Sequence, residues 1–313
     1  MRISVINPPA SSNLGNAFIS DGGHIVLNKL FPDAEIHHFE HLCFSEYITG
    51  SPSFMDSSLE WMKENSDLII HFGGTSLNNH LYTRIYQVIN NLNIPFIPWS
   101  VGCCLYDNNE KEITNKIAEM SKCIIARDSY AYSFVDDKSK VFNGIDCGFF
   151  AGEKYKPPKE KRNYAVCNID SMGVLCTEGK AHPQQCMNSF EYLNEFKKDH
   201  DNVYIITNNN TINLIPKDIN VIYVTYPQTL WSFYSNASLV ATTRAHTSVC
   251  CLTESTPIEY HGFLDKRACG LFESVNIDIS KYQKDNVEQY SSLIKEKKEE
   301  YIDGLRKYLE NVL

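Results

Sequence analysis

Short β-branched runs alternate with longer amphipathic stretches along nearly the whole chain, a pattern that commits it to βαβ units around parallel sheets. In the first half, Ile3–Ile6, Ala34–His38, Leu68–Phe72, Phe96–Ser100, Cys123–Ala126 and Lys140–Phe142 read as strands. Helical stretches lie between them, clearest at Tyr82–Leu92 and Glu110–Met120, with Ile85, Val88, Ile89 and Leu92 at the spacing of a helix packed on a sheet. Around Gly148–Asn163 the pattern breaks into prolines and charges, which reads as a linker. Beyond it, strands are expected at Tyr164–Asn168, Val203–Thr207, Val221–Val224, Leu239–Thr242 and Pro257–His261, with helices at Pro183–Lys198, Pro227–Ser235 and His246–Thr253. A last helix, Asn286–Val312, carries Val287, Tyr290, Ile294, Tyr301, Leu305, Tyr308 and Val312 along one face, and its Lys295–Glu300 run is expected to be solvated.

These elements sum to an α/β chain of two Rossmann-like domains: an N-terminal one over 1–150, a linker over 151–163, a C-terminal one over 164–285 and a C-terminal helix over 286–313. Two such domains, one linker and a long terminal helix describe a GT-B-like arrangement with a cleft between the domains. At 313 residues with 43% hydrophobic content the chain has enough apolar surface for both cores. The net charge of −9 argues against a nucleic-acid partner but not against a locally positive pocket for a small anion. No apolar run reaches the roughly 18 residues of a membrane span, and no signal sequence precedes the first strand, so the expected location is cytoplasmic. The 11 cysteines are odd in number and lack C-x-x-C spacing, so buried thiols are expected and no metal site. Asp199-His-Asp201 precedes a strand, the wrong end for a metal-binding D-x-D, and reads as a solvated turn. Dinucleotide, P-loop and nucleophile-elbow fingerprints are all missing from the sequence.

Open α/β sheets bind ligands beyond the carboxyl ends of their strands. Five segments fall there: Asn7–Asn16, Phe72–Asn78, Val101–Cys104, Arg127–Ser129 and Thr243–His246. Gly73 and Gly74 allow backbone to approach a ligand, although a strand-to-helix turn uses glycine for steric reasons alone. Arg244 and His246 open a helix, joining a fixed cation, a titratable ring and free N–H donors, which suits an anionic substrate with proton transfer nearby. Arg127 holds the matching place in the other domain. Two readings stand side by side here: Arg127 and Arg244 clamp a ligand with two anionic groups, or Arg127-Asp128 is a local ion pair capping a helix and His246 bonds to backbone.

The ordered set Asn13-x-Gly-Asn16, Asp67–Gly74, Pro95-x-x-x-x-Ser-Val-Gly102, Ala126-Arg-Asp-Ser129 and Thr243-Arg-Ala-His246 resembles the polysaccharide pyruvyl transferases, from about Ile3 to about Gly262. The resemblance implies a transferase that moves the pyruvyl group of phosphoenolpyruvate onto two sugar hydroxyls, forming a ketal in capsule, exopolysaccharide or cell-wall glycan synthesis. It implies that Arg127 and Arg244 bind the donor's carboxylate and phosphate, with His246 as general acid/base. Asn16, Gly73, Gly74 and Thr75 would line the donor site, with His80 a further contact. The implied partners are phosphoenolpyruvate and a glycan acceptor, free or lipid-linked, with no cofactor. Thr75, Cys103-Cys104 and Ala245 depart from the family's usual glycines and leucine. The rival expectations are a GT-B glycosyltransferase using a nucleotide sugar, for which Glu254 and Glu259 are available carboxylates, and a non-catalytic glycan-binding protein on the same fold.

Overall fold

A computed structural model describes residues 1–10, 13–40, 52–157, 162–168, 192–207, 220–262 and 265–313, residues 52–56 by their backbone. The first sheet holds β1 (Arg2–Asn7), β2 (Glu35–Glu40), β3 (Leu68–Phe72), β4 (Phe96–Val101), β5 (Ile124–Ala126) and β6 (Val141–Asn143) in the order β2-β1-β3-β4-β5-β6. The second holds β7 (Ala165–Asn168), β8 (Val203–Thr207), β9 (Asn220–Tyr223), β10 (Leu239–Thr242) and β11 (Ile258–Tyr260) in the order β11-β10-β7-β8-β9. Every strand pair is parallel. The sequence explains which strands lie inside. β3 and β4 are buried at every residue, as continuous apolar runs covered on both faces should be, whereas β2 and β9 are largely exposed at sheet edges.

Of the helices, α3 (Asn108–Met120) is close to a stretch the sequence delimits, whereas the long α1 (Leu14–Leu30), α2 (Pro52–Asn65), α4 (Ser129–Phe134) and α8 (Lys266–Glu273) fall where the sequence gives no helix bounds. Gly22-Gly23 in the middle of α1 weakens its helical signal, and close packing accounts for both. A methyl group at Gly22 would stand 1.8 Å from the Cys147 carbonyl oxygen, and one at Gly23 would stand 2.4 Å from Phe72. Asn13 caps α1 by accepting from the Gly15 N–H at 3.1 Å.

The segment read as a linker is only partly one. Cys147–Phe150 forms a 3₁₀ turn that continues into α5 (Ala151–Tyr155), and Phe149, Phe150 and Ala151 are fully buried. Charge density hid an apolar anchor: the lysines and prolines that suggested a connector all follow Phe150. The second domain adds α6 (Pro227–Asn236), α7 (Ala245–Thr253) and a helix at 192–199; the rest of the helix expected over Pro183–Lys198 lies outside the described residues, as do positions 158–161 of the linker.

The last helix, α9 (Val287–Val312), leaves the second domain and returns to the first. Near its start Ser291 Oγ donates to the Thr253 carbonyl at 3.1 Å; farther on, the Trp99 indole donates to Tyr301 OH at 3.0 Å and Tyr308 OH donates to the Ser139 carbonyl at 2.9 Å. Its charged face is not wholly solvated. Lys298 is 14% exposed, 2.7 Å from Glu153 and above the Phe150 ring, while Lys295, Glu296, Glu299 and Glu300 face solvent. Because Trp99 is fully buried and Tyr301 is 3% exposed, Tyr301→Phe removes the hydroxyl that accepts from the indole N–H in the core. We expect a loss of about 1–3 kcal/mol in guanidinium denaturation followed by tryptophan fluorescence.

Candidate functional site

In both sheets the strand order reverses beside the first strand of the domain, between β1 and β3 and between β7 and β10. Such a reversal opens a crevice at the carboxyl ends of the strands. The Asn13–Asn16 turn and Gly73-Gly74 border the first crevice. Asn168, Arg244 and His246 border the second. The two crevices meet: Arg244 Nη1 donates to Asn13 Oδ1 across the domain boundary at 3.3 Å.

His246 lies in the first turn of α7 with its side chain 17% exposed. Its ring passes between two glycines of the first domain. A methyl group at Gly15 would approach the His246 Cβ to 3.1 Å and Cγ to 3.2 Å, and one at Gly148 would approach Cδ2 to 3.4 Å. His246 Nε2 is buried and lies 3.5 Å from Asp146 Oδ2, an ion-pair distance without a well-formed hydrogen bond. Arg244 is the N-terminal cap of α7; its backbone N–H donates to Thr242 Oγ1 at 3.0 Å. Asn168 braces this turn, its carbonyl accepting from Thr242 Oγ1 at 3.0 Å and its Oδ1 from Thr247 Oγ1 at 3.4 Å.

Arg127 follows β5 and is 3% exposed. Its Nη1 lies 3.5 Å from Asp146 Oδ2 and its Nε 3.5 Å from Asp128 Oδ2. Burial opposes its charge, but Tyr106, Asp146 and Asp128 outweigh burial and hold the guanidinium above its ordinary range. Asp128 caps α4, accepting from the Ala131 N–H at 2.8 Å, and also accepts from Tyr106 OH at 2.5 Å. Burial pushes the Asp128 carboxyl up despite these partners. Asp146 goes the other way: burial raises it, yet His246 and Arg127 prevail and hold it below the usual carboxylate range. Of the two readings of Arg127, these contacts show the ion pair. Arg127 pairs with Asp128 and, through Asp146, joins His246.

The loop residues have distinct places. A methyl group on Gly74 would stand 3.3 Å from Arg127 Nη1, so this turn lies against the guanidinium. Gly73 N–H donates to the Trp99 carbonyl at 3.2 Å, and the Thr75 carbonyl accepts from Asn78 Nδ2 at 2.7 Å. Asn16 Nδ2 donates to the Pro9 carbonyl at 2.8 Å, holding the turn after β1. His80 is exposed on the short helix Asn79–Leu81, and none of the described contacts joins it to Arg127, Arg244 or His246. Glu254 accepts from the Trp231 indole at 3.0 Å, and Glu259 is tied to Tyr192 and Lys284, so each has a structural partner.

Asp146 was missed in the sequence, although the rule that found the other residues reaches it. It follows β6 directly, in Asn143-Gly-Ile-Asp146, where a carboxylate between a glycine and an apolar run is a usable signal. Ser100 was missed as well. It is fully buried at φ +58°, a left-handed conformation that costs a serine about 1–3 kcal/mol. Its Oγ accepts from the Cys147 N–H at 2.9 Å and so fixes the turn that carries Asp146. Among the described residues no cluster of three or more His, Cys, Asp or Glu could hold a metal ion. No described helix is long and apolar enough to cross a membrane. Two cations, an imidazole and helix-opening N–H groups beside a cleft together suit an anionic ligand and a proton transfer.

Solved structures share this architecture at low identity. The S. aureus MnaA–UDP co-structure superposes with a TM-score of 0.60 at 12% identity, over 96% of this chain and 89% of the other. The Methanocaldococcus jannaschii UDP-GlcNAc 2-epimerase, solved with UDP-GlcNAc and UDP, gives 0.54 at 14% over 82% and 83%. The glycosyltransferase SnogD from Streptomyces nogalater gives 0.51 at 9% over 95% of each chain. These likenesses establish the GT-B-like fold. No curated protein sequence matches. The decisive comparison is at family level: the model for polysaccharide pyruvyl transferase matches residues 13–258, from the cap of α1 to β11. That span takes in Arg127, Asp146, Arg244 and His246, and the chain belongs to the polysaccharide pyruvyl transferase family.

Proposed function

We propose that this protein transfers the pyruvyl group of phosphoenolpyruvate to two hydroxyls of a sugar in a glycan or glycan precursor, forming a pyruvate ketal. The observation that carries this reading is the meeting of Arg244 and His246 from one domain with Asn13, Gly15 and Asp146 from the other. In the reaction His246, as imidazolium, protonates the methylene carbon of the enol. The adjacent carbon gains oxocarbenium character and a sugar hydroxyl adds to it. Phosphate leaves with its bonding pair, and a second hydroxyl closes the ketal. Of the two hydroxyl protons released, one restores His246 and the other leaves with phosphate.

Arg244 is partly exposed at the opening of α7 and takes a donor anion directly, aided by the helix's N–H groups. Arg127 acts from beneath the Gly74 turn, contributing positive charge and holding Asp146 in place. Family membership supports a small-molecule donor and a glycan acceptor; the acceptor class proposed includes lipid-linked precursors.

Calorimetric titration of phosphoenolpyruvate into wild type and Arg244→Ala tests the donor. Binding by wild type, weakened about tenfold or more in the variant, is the expected result. Binding of a UDP- or GDP-sugar with none of phosphoenolpyruvate would overturn it in favour of a nucleotide-sugar glycosyltransferase.

A further inference from the structure

We propose that Asp146 is the positioning residue for His246: a carboxylate presented by the first domain that fixes the imidazole presented by the second. The inference rests on the reading of His246 as proton donor. Asp146 is fully buried, and its own position is over-determined. Its Oδ1 accepts from the Gly148 N–H at 2.8 Å, and the next residue is tied to Ser100 at 2.9 Å. Only Oδ2 remains, 3.5 Å from both Arg127 Nη1 and His246 Nε2. Arg127 Nη1 already donates to it, and a shift of a few tenths of an ångström converts the His246 approach into a charge-assisted hydrogen bond, the tightening expected of a catalytic pair on going from free to bound enzyme.

The charged groups described near the ring are Asp146, Arg127, Asp128 and Arg244. Arg127 lies behind Asp146, with Asp128 on its far side. Arg244, at the start of the same helix, directs Nη1 to Asn13. Gly15 and Gly148, which flank the ring, carry no charge. With Nε2 buried against Asp146, Nδ1 is the nitrogen left to hand a proton to the substrate. An anion beside an imidazole stabilises the imidazolium, so removing it makes the ring lose its proton at lower pH. Because the partners come from opposite domains, the pair exists only where the two domains meet.

The test compares wild type, Asp146→Asn and Asp146→Glu. The His246 ring is followed through a pH titration by NMR, which needs no substrate, and kcat is measured across pH with phosphoenolpyruvate and an acceptor. In Asp146→Asn the NMR midpoint and the limb of kcat that falls with rising pH both move to lower pH, and kcat drops about 10- to 100-fold. Asp146→Glu keeps an anion at the site and holds both near their wild-type positions, so the proposal stays testable should the amide variant fold poorly. Adding Asp146→Asn to His246→Ala causes no further loss. A midpoint that does not move in Asp146→Asn, or losses that multiply in the double variant, would overturn the inference. If phosphoenolpyruvate proves not to be the donor, the NMR titration still decides whether Asp146 governs the ring.

Discussion

His246→Ala is expected to lower kcat for ketal formation by about 10²- to 10⁴-fold, while phosphoenolpyruvate affinity stays within about threefold. The reasoning separates two functions that sit side by side on α7. Arg244 carries a permanent charge and acts on the donor in its ground state. His246 acts only as the methylene carbon is protonated, so its loss falls on turnover. The substitution removes a ring that is 17% exposed and flanked by Gly15 and Gly148, so folding is little affected. Phosphate release under saturating donor and acceptor reads the effect. Turnover within tenfold of wild type would mean that the proton comes from another group.

Gly22→Ala is expected to cost about 3 kcal/mol or more of stability, against the usual gain of about 1 kcal/mol when alanine replaces glycine in a helix. The atoms in the way are backbone: the Cys147 carbonyl oxygen at 1.8 Å, its carbon at 2.7 Å and the Ala151 nitrogen at 3.2 Å. No side-chain rotation relieves that contact. α1 would have to lift from Cys147–Ala151, withdrawing Phe18, Ile19, Val26 and Leu27 from the core. Guanidinium denaturation measures the change, and stability within about 0.5 kcal/mol of wild type would show that α1 does not pack this way. The turn being pushed also carries Asp146, so an Asp146–His246 distance that lengthens in parallel is part of the same expectation.

Periodicity read the sheets well and the helices unevenly. Leu68–Phe72, Val203–Thr207 and Leu239–Thr242 are the strands found, residue for residue, because apolar runs bounded by turn residues leave little choice. α1 was hidden because Gly22 and Gly23, which its packing demands, are poor helix formers. The helical stretch after β3 was found, but not its π-helical middle at Tyr82–Tyr86, where one extra residue per turn leaves no mark on the apolar spacing. In the site, Arg127, Arg244 and His246 were legible as polar residues at carboxyl ends of strands. Asp146 sits in the same kind of place, but it falls between the Lys140–Phe142 strand and the break at Gly148, in a stretch the sequence reading gave no element or role. What no local pattern holds is the pairing itself, since Asp146 and His246 lie on different domains and become partners only in three dimensions.

The return of α9 to the first domain has a consequence for how the chain is made. All six strands of the first sheet have been synthesised once Asn143 is in place, yet the phenol that satisfies the Trp99 indole belongs to Tyr301, 202 residues later. A nascent chain on the ribosome therefore holds the first core without the Tyr301 hydroxyl at the indole and with Phe142 and Phe150 lacking the Tyr301 ring beside them. Closure of that core waits for the second domain to be translated and for its last helix to come back, which couples completion of the first half to successful folding of the other.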